Sequence, residues 1–427
     1  MSYIKNDMSD TIRLTKYEIS LNRINYFFEY PKRFGRYLKQ PDNTFFFVEY
    51  PLTCELQKVP VSILLVPFVA NILTMSMLLN ISIEVPELDK DFYNSLEDIK
   101  KAYKKMFPYL NFCFDVKVKQ IVENNLSTTN TSCESLFFTG GLDATSALID
   151  FLPKQCNTSP AISNLTLINI WGGDSCIEDN LTHNNLTSYL EHLHSQYGIS
   201  YAFIRSNCRE MYDERVISKF TAIRIYPWEN HGWWASIAHI LSMSSLLAPF
   251  TYLNGIKKHY IASSYETTSK TFDANNIDTV NAIRFASCRL LPVDTELDRT
   301  DKAEKLVDFY NRTKQTFELK VCWYNNHGKN CSHCEKCYRT ILDIIVNHGD
   351  PNLYGFSVDN TTYAEMKYFL KNTFVNSGYW KPIRRKFVEN APYWKEQPYL
   401  SWILTIKFNR PGAIIKKGIS VLNKFIS

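Results

Sequence analysis

The sequence predicts an α/β protein: a central parallel sheet with helices on both faces, extended by a mixed α/β segment at the amino-terminal side and a helical region at the carboxyl-terminal side. Three observations predict it. The chain has 427 residues, 45% of them hydrophobic, enough for a sizeable core and more than one ordinary domain. From Cys133 onward, short apolar runs alternate with helical patterns, as in βαβ units that build a parallel sheet. The first of those runs passes through two glycines directly into a helix.

Residues 1–130 read as the mixed α/β extension. The segment opens MSYIKNDMSDTIRL without the apolar run of a secretory signal. This sets the expectation of a cytoplasmic protein whose 11 cysteines are reduced or metal-bound. The aromatic run Phe45–Tyr50 reads as a strand. Val59–Val85 carries a single acid, Glu84, and reaches the ~20 residues a bilayer helix requires. Pro60, Pro67, Asn71, Thr74 and Ser76 interrupt it, so we read it as buried strand, turn and helix. Ser95 and Asp98 form a capping-box pattern ahead of Leu96, Ile99, Ala102, Tyr103 and Met106, which share one helical face. Phe112, Phe114, Val116 and Val118 alternate with polar residues, as in a half-buried strand. The polar stretch Asn124–Ser132 reads as a linker.

Residues 131–345 carry the alternation: ESLFF then ATSALIDFL, LTLINI then LTSYLEHLH, SYAFIRS, then WWASIAHILSMSSLLA and HYIASS. After His348-Gly349, a helix end, residues 346–427 read as helical, aromatic and basic. Near the end, Ile414, Ile415, Ile419, Val421, Leu422, Phe425 and Ile426 recur at helical spacing, with Lys416, Lys417 and Lys424 facing elsewhere. Such a helix can bind a membrane surface or a partner groove; packing on its own domain is the favoured reading. The formal charge of +5, from 48 basic and 43 acidic side chains, is mild for this length and argues against nucleic acid as a partner.

The glycine junction is Phe138-Thr139-Gly140-Gly141-Leu142-Asp143-Ala144-Thr145-Ser146. Glycines let the backbone turn sharply and approach a ligand closely, and the helix start behind them offers unpaired N–H groups and a positive dipole end. That is what a phosphate cradle requires. No Gly-Lys-Ser/Thr follows and no G-x-G-x-x-G is present, which sets aside two common nucleotide loops. The segment resembles the Ser-Gly-Gly-x-Asp-Ser signature of the PP-loop ATP pyrophosphatases. In those enzymes the loop grips the pyrophosphate of ATP while the α-phosphate passes, as AMP, to a substrate oxygen. Two positions depart from the signature: Thr139 keeps a hydroxyl where the first serine stands, and Ala144 loses one where the second stands. Thr145 is the candidate to supply it.

The second constellation is Cys322, Cys331, Cys334 and Cys337, spaced C-x8-C-x2-C-x2-C. Four thiolates complete a tetrahedral Zn2+ shell and leave no position for water, so the expected metal is structural. His327 and His333 read as surface neighbours of the centre. A redox switch is the competing reading, since C-x-x-C pairs can be reactive thiols.

A glycine loop of this kind followed by this cysteine spacing is similar to 7-cyano-7-deazaguanine synthase and its relatives over roughly residues 133–345. In the resemblance, Leu165–Gly172 stands for the second strand, Tyr260–Tyr265 for a later central strand, and Thr300-Asp301-Lys302-Ala303-Glu304 for a conserved helix start. The resemblance implies ATP and Mg2+ as cofactors beside Zn2+. It makes Asp143 and Lys302 the candidate catalytic residues, with Asp143 holding the magnesium and Lys302 meeting phosphate. Arg339 is a further phosphate candidate, with a surface ion pair as its plainer reading. The implied reaction is adenylation of a small-molecule carboxylate followed by attack of an amine or ammonia. The substrate-facing segments, including His231-Gly232-Trp233-Trp234 and Ser263–Asp278, do not match, so a different carboxylate is expected. Trp233 and Trp234 could stack on a planar ring or lie in the core. The alternative functions are a PP-loop tRNA thiolase and a non-catalytic nucleotide-binding protein.

Overall fold

The structure is a computed structural model that describes residues 10–43, 45–124, 133–152, 164–224, 232–264, 273–322, 324, 327–409 and 411–415. The polar stretch after Asn124, His231 and the basic stretch beyond Ile415 lie outside the described residues.

The strands are β1 (Thr11–Ser20), β2 (Arg23–Glu29), β3 (Phe46–Glu49), β4 (Ser82–Asp89), β5 (Val116–Val122), β6 (Cys133–Phe137), β7 (Leu165–Trp171), β8 (Ser200–Ser206), β9 (Ile256–Ala262), β10 (Arg284–Phe285) and β11 (Cys288–Val293). They form one 11-stranded sheet in the order β10-β11-β9-β6-β7-β8-β3-β2-β1-β4-β5. From β11 to β8 every neighbour pairs in parallel. In chain order these five strands read 3-2-1-4-5 about β6. This is the doubly wound arrangement, and its topological switch point lies between β6 and β9, outside the carboxyl ends of the strands.

The amino-terminal segment is not a separate sheet. It continues the same one, through an antiparallel pairing of β3 with β8 at Val48–Ser206 and Glu49–Arg205. Side chains lengthen this short ladder: Asn207 accepts from the Phe47 N–H at 2.9 Å and donates to the Phe45 carbonyl at 2.9 Å. The chain divides into two compact units, which differ from the expected division at 130 and 345. The first comprises Met1–Phe138, Ala161–Asn180 and Leu190–Thr295 and contains the whole sheet; the second comprises Thr139–Pro160, Leu181–Tyr189 and Glu296–Ser427.

In the first unit the apolar stretch forms helices Val61–Leu64 and Val66–Leu79 and then β4, so the order is helix, turn and strand rather than strand, turn and helix. The prolines explain it. Pro60 precedes the first helix and Pro67 stands in the first turn of the second, where a missing N–H costs no helical bond. By length and composition Val61–Leu79 and Trp234–Asn254 could each cross a membrane, yet 94% and 83% of their most apolar windows are buried within the protein. Asn71 anchors the first of them, donating to Ser245 Oγ at 3.3 Å. The next helix starts at Lys90, earlier than expected, because Asp89 caps it by accepting from the Phe92 N–H at 3.1 Å. Ser95 lies within that helix and donates to the Phe92 carbonyl. β5 begins at Val116, so Phe112 is buried in the segment that precedes the strand.

The second unit is helical among its described residues. Helices Leu142–Ile149, Arg299–Thr313, Glu335–Val346, Asn360–Asn372 and Ser377–Glu389 bury Leu306, Phe309, Ile341, Ile344, Trp380 and Phe387. The helical expectation for 346–427 agrees with this as far as residue 415.

Candidate functional site

The carboxyl end of β6 is pinned by the Phe138 N–H donating to the Ile168 carbonyl at 2.9 Å and by Asn169 donating to the Phe138 carbonyl at 3.1 Å. The chain then enters the glycine junction. Gly140 adopts φ +74°, the left-handed region that favours glycine. Thr139 Oγ1 accepts from the Gly141 N–H at 3.3 Å. Gly141 precedes helix Leu142–Ile149 and offers no side-chain cap. The first intrahelical bond runs from the Thr145 N–H to the Gly141 carbonyl, leaving the N–H groups of Leu142, Asp143 and Ala144 without an intrahelical acceptor. The side chains of Phe138, Leu142, Ala144, Thr145 and Ser146 are buried, so this part of the loop can meet a ligand only through its backbone. Thr145 Oγ1 is buried with no hydrogen-bond partner.

Asp143 is the centre of a charge cluster. Arg299 Nη1 lies 2.7 Å from Oδ2 and Lys302 Nζ lies 3.2 Å from Oδ1. Lys302 is fully buried, while Arg299 and Asp143 keep about a fifth of their side-chain surface exposed. Burial alone would raise the Asp143 carboxyl; Arg299, Lys302 and Lys336 overcome it and hold the group down to about 2. The geometry follows from one cap. Asp298 and Asp301 form a reciprocal capping box at the start of helix Arg299–Thr313. The i and i+3 positions Arg299 and Lys302 then share one face. Cations in a first turn are disfavoured by the helix dipole, and Lys336 repeats the arrangement in the first turn of Glu335–Val346. Three cations therefore act on one carboxylate from positions that their helix dipoles disfavour.

Sequence reasoning missed Arg299 and Lys320. Arg299 could have been found as the residue sharing a helical face with Lys302. Lys320 has no local signal: its backbone N–H donates to the Gly140 carbonyl at 2.8 Å and its Nζ to the Gly328 carbonyl at 3.2 Å. Arg339 is buried, not a surface ion pair, and stacks over the Tyr379 ring at 4.3 Å. Trp233 and Trp234 are both buried in the first unit, which favours the core reading over an open stacking face.

The four cysteine sulfurs lie within 4.8 Å of one another, with Cys322–Cys334 at 4.0 Å and Cys331–Cys337 at 3.9 Å. A tetrahedral ion with metal–sulfur bonds of ~2.3 Å separates its sulfurs by about 3.8 Å, so the cluster could hold a metal such as zinc. Cys334 and Cys337 are buried, and the Cys337 N–H points at Cys334 Sγ and the His333 N–H at Cys331 Sγ, each at 3.4 Å. His333 is exposed and bonded to Glu365 at 2.7 Å; neither it nor His327 joins the sulfur group. Cys334 also caps helix Glu335–Val346, whose Thr340 accepts from Arg299 Nη2 at 3.2 Å.

Compared with known protein families, curated proteins and solved structures, the chain matches none.

Proposed function

We propose that the protein is an ATP-dependent enzyme that adenylates a carboxylate of a small-molecule substrate, releases pyrophosphate, and passes the acyl group to an amine or ammonia. The observation that carries this reading is the convergence on Asp143 of Arg299 and Lys302, with Lys336 acting on it electrostatically. The cluster sits at the start of a helix whose first N–H groups have no intrahelical acceptor. Phosphoryl transfer needs little beyond positioning and stabilisation of negative charge, and these groups supply both. A polyphosphate would take Arg299 and Lys302 from Asp143, freeing that carboxylate to hold Mg2+, which neutralises phosphate charge when bound. Zn2+ on the four cysteines is the structural metal of the same unit. Gathering these cysteines into one closed cluster leaves them no free thiol for sulfur transfer, which argues against a tRNA thiolase. The missing hydroxyl at Ala144 favours the second reading, a nucleotide-binding protein without turnover.

The test is a pyrophosphate-release screen of the purified full chain with ATP, Mg2+ and a panel of carboxylates and amines. Release that requires a carboxylate and disappears in Asp143→Asn supports adenylation. Tight ATP binding without release across the panel supports the second reading.

A further inference from the structure

In the first unit, two arginines on one face of the sheet share a carboxylate. β2, β3, β8 and β7 lie side by side, and their registers place Arg23, Glu49, Arg205 and Trp171 in one row across them. Phe47 stands two residues before Glu49, on the same face of β3. Guanidiniums from the strands on either side close over this ring. Arg23 Cζ lies 3.7 Å from its centroid and Arg205 Cζ 5.9 Å, the latter also 4.8 Å over Trp171. Phe47 is buried beneath them, although the hydrophobic core takes in its neighbours Phe46 and Val48 and not Phe47 itself.

The rings hold the guanidiniums in place, but their charge is incompletely met. Arg23 Nη1 is 3.9 Å and Arg205 Nη1 3.6 Å from one oxygen, Glu49 Oε2. Both gaps exceed a charge-assisted hydrogen bond, which runs about 2.7–2.9 Å. Arg23 Nε donates to Asn25 Oδ1 at 3.0 Å. Arg205 Nε is buried with no hydrogen-bond partner among the described residues. A guanidinium has five N–H donors, so two of them about one distant carboxylate leave donors to spare. Burial pushes the Arg23 guanidinium down, Glu49 offsets part of that, and Arg205 pushes it down further. Arg23, Arg205 and Glu49 keep 29%, 32% and 33% of their side-chain surface exposed, so solutes reach them.

We propose that Arg23 and Arg205 bind the phosphate group of a small molecule on this face of the sheet, with Glu49 as the internal carboxylate that the phosphate displaces. Each planar guanidinium offers paired N–H groups that match two phosphate oxygens. Resting on aromatic rings, the two are held before the ligand arrives, so less side-chain freedom is lost on binding. A phosphate brings more negative charge and more acceptor oxygens than the one carboxylate it replaces. A polynucleotide would need a run of available cations tracking its backbone. Here the flanking cations are already taken: Lys16 is paired with Glu18 at 2.7 Å and Arg13 with Glu84 at 3.0 Å. The arrangement therefore fits one phosphate rather than a chain of them. This assignment is independent of the adenylation reading.

The test uses the full-length protein labelled with nitrogen-15 arginine, with the Arg205 Nε signal identified by its loss in Arg205→Lys. Inorganic phosphate at pH 7 shifts this signal along a saturating curve, and sodium chloride at equal ionic strength does not. Because the reporter is Arg205 itself, phosphate bound around Asp143 does not register as binding here. Arg23→Gln removes a charged donor and weakens the binding about tenfold or more. Glu49→Gln removes the competitor and tightens it severalfold. Arg23→Lys, which keeps the charge and loses the planar fork, serves if Arg23→Gln fails to fold, and also weakens binding. No saturating shift in the wild type, an equal shift from sodium chloride, or unchanged affinity in the Arg23 variant that folds overturns the proposal. An oligothymidylate that shifts the signal at an about tenfold lower concentration than phosphate overturns it in favour of single-stranded nucleic acid.

Discussion

Replacing Asp143 by Asn should have two opposite effects, and both follow from the ion pairs in which the carboxylate sits. Its carboxyl is held down to about 2, against an ordinary 3.8, by Arg299, Lys302 and Lys336. That difference corresponds to roughly 2–3 kcal/mol of stability at neutral pH. Asn also leaves Lys302, fully buried, without its carboxylate, and breaking a buried pair by removing one partner costs about 3–5 kcal/mol. With Asp143 partly exposed, we expect a loss of roughly 2–4 kcal/mol, read as a lower urea midpoint at pH 7. Because the folded-state value is depressed, the stabilisation is present above about pH 4 and is lost as pH falls toward 2, so the gap between wild type and variant closes in that window. The same substitution removes the internal competitor for Arg299 and Lys302. Tripolyphosphate, titrated calorimetrically without divalent cation, should therefore bind Asp143→Asn about tenfold more tightly than the wild type, equivalent to ~1.4 kcal/mol, while added Mg2+ should help only the wild type. Equal or weaker binding to Asp143→Asn without Mg2+ would refute the idea that the carboxylate stands in for phosphate.

Metal analysis of the purified chain should find about one zinc per chain; Cys337→Ser should lose it and, through the displaced helix Glu335–Val346, weaken tripolyphosphate binding as well. Gly172→Ala should cost about 3 kcal/mol or more, since its Cβ would lie 1.9 Å from a carbonyl oxygen. Gly412→Ala, with nothing within 4 Å, should stay within about 0.5 kcal/mol in the same melting assay. His259 is fully buried between Ser135 and Thr251, and burial pushes its imidazole down to about 3. The unfolded chain therefore takes up a proton near 6.5 that the folded one refuses, so stability should fall between pH 6.5 and 3 by up to about 1.4 kcal/mol per unit. His259→Asn should flatten that slope in urea midpoints compared at pH 7 and pH 5.

The parts of the fold legible in the sequence are those with a local cause. SYAFIRS became β8 residue for residue and LTLINI became β7 with one residue added, because each apolar run is bounded by turn residues. The glycine junction and the cysteine spacing were legible for the same reason. The joining of β3 to β8 was not. It pairs residues more than 150 positions apart over two registered positions, and the Asn207 side chain that extends it reads locally as an ordinary loop residue. The cap at Asp89 was hidden by Ser95, whose pattern with Asp98 imitates a capping box. Within the site, Lys302 was found through a motif and Arg299 was missed. Lys320 reaches the loop through its own backbone N–H, a contact no side-chain pattern encodes.

The cysteine centre and the charge cluster, found as separate motifs, are linked by short chains of contacts. Cys322 lies two residues beyond Lys320, whose N–H holds the Gly140 carbonyl. Cys334 caps the helix that carries Lys336 and Thr340, and Thr340 holds the guanidinium that holds Asp143. The first pair of sulfurs thus connects to the glycine turn and the second to the cations around it. Asn330 already ties the first route together, accepting from the Val321 N–H at 2.9 Å and donating to the Leu319 carbonyl at 2.8 Å. His327 before Cys331 and Ser332 within the knuckle are both left-handed, a conformation that costs a non-glycine residue energy and needs support from its surroundings. Four metal–sulfur bonds would provide it, fixing both approaches to the loop from one point. Three first-turn cations aimed at one place repel each other and oppose their own helix dipoles. A rigid four-coordinate anchor is the kind of constraint that would hold them there.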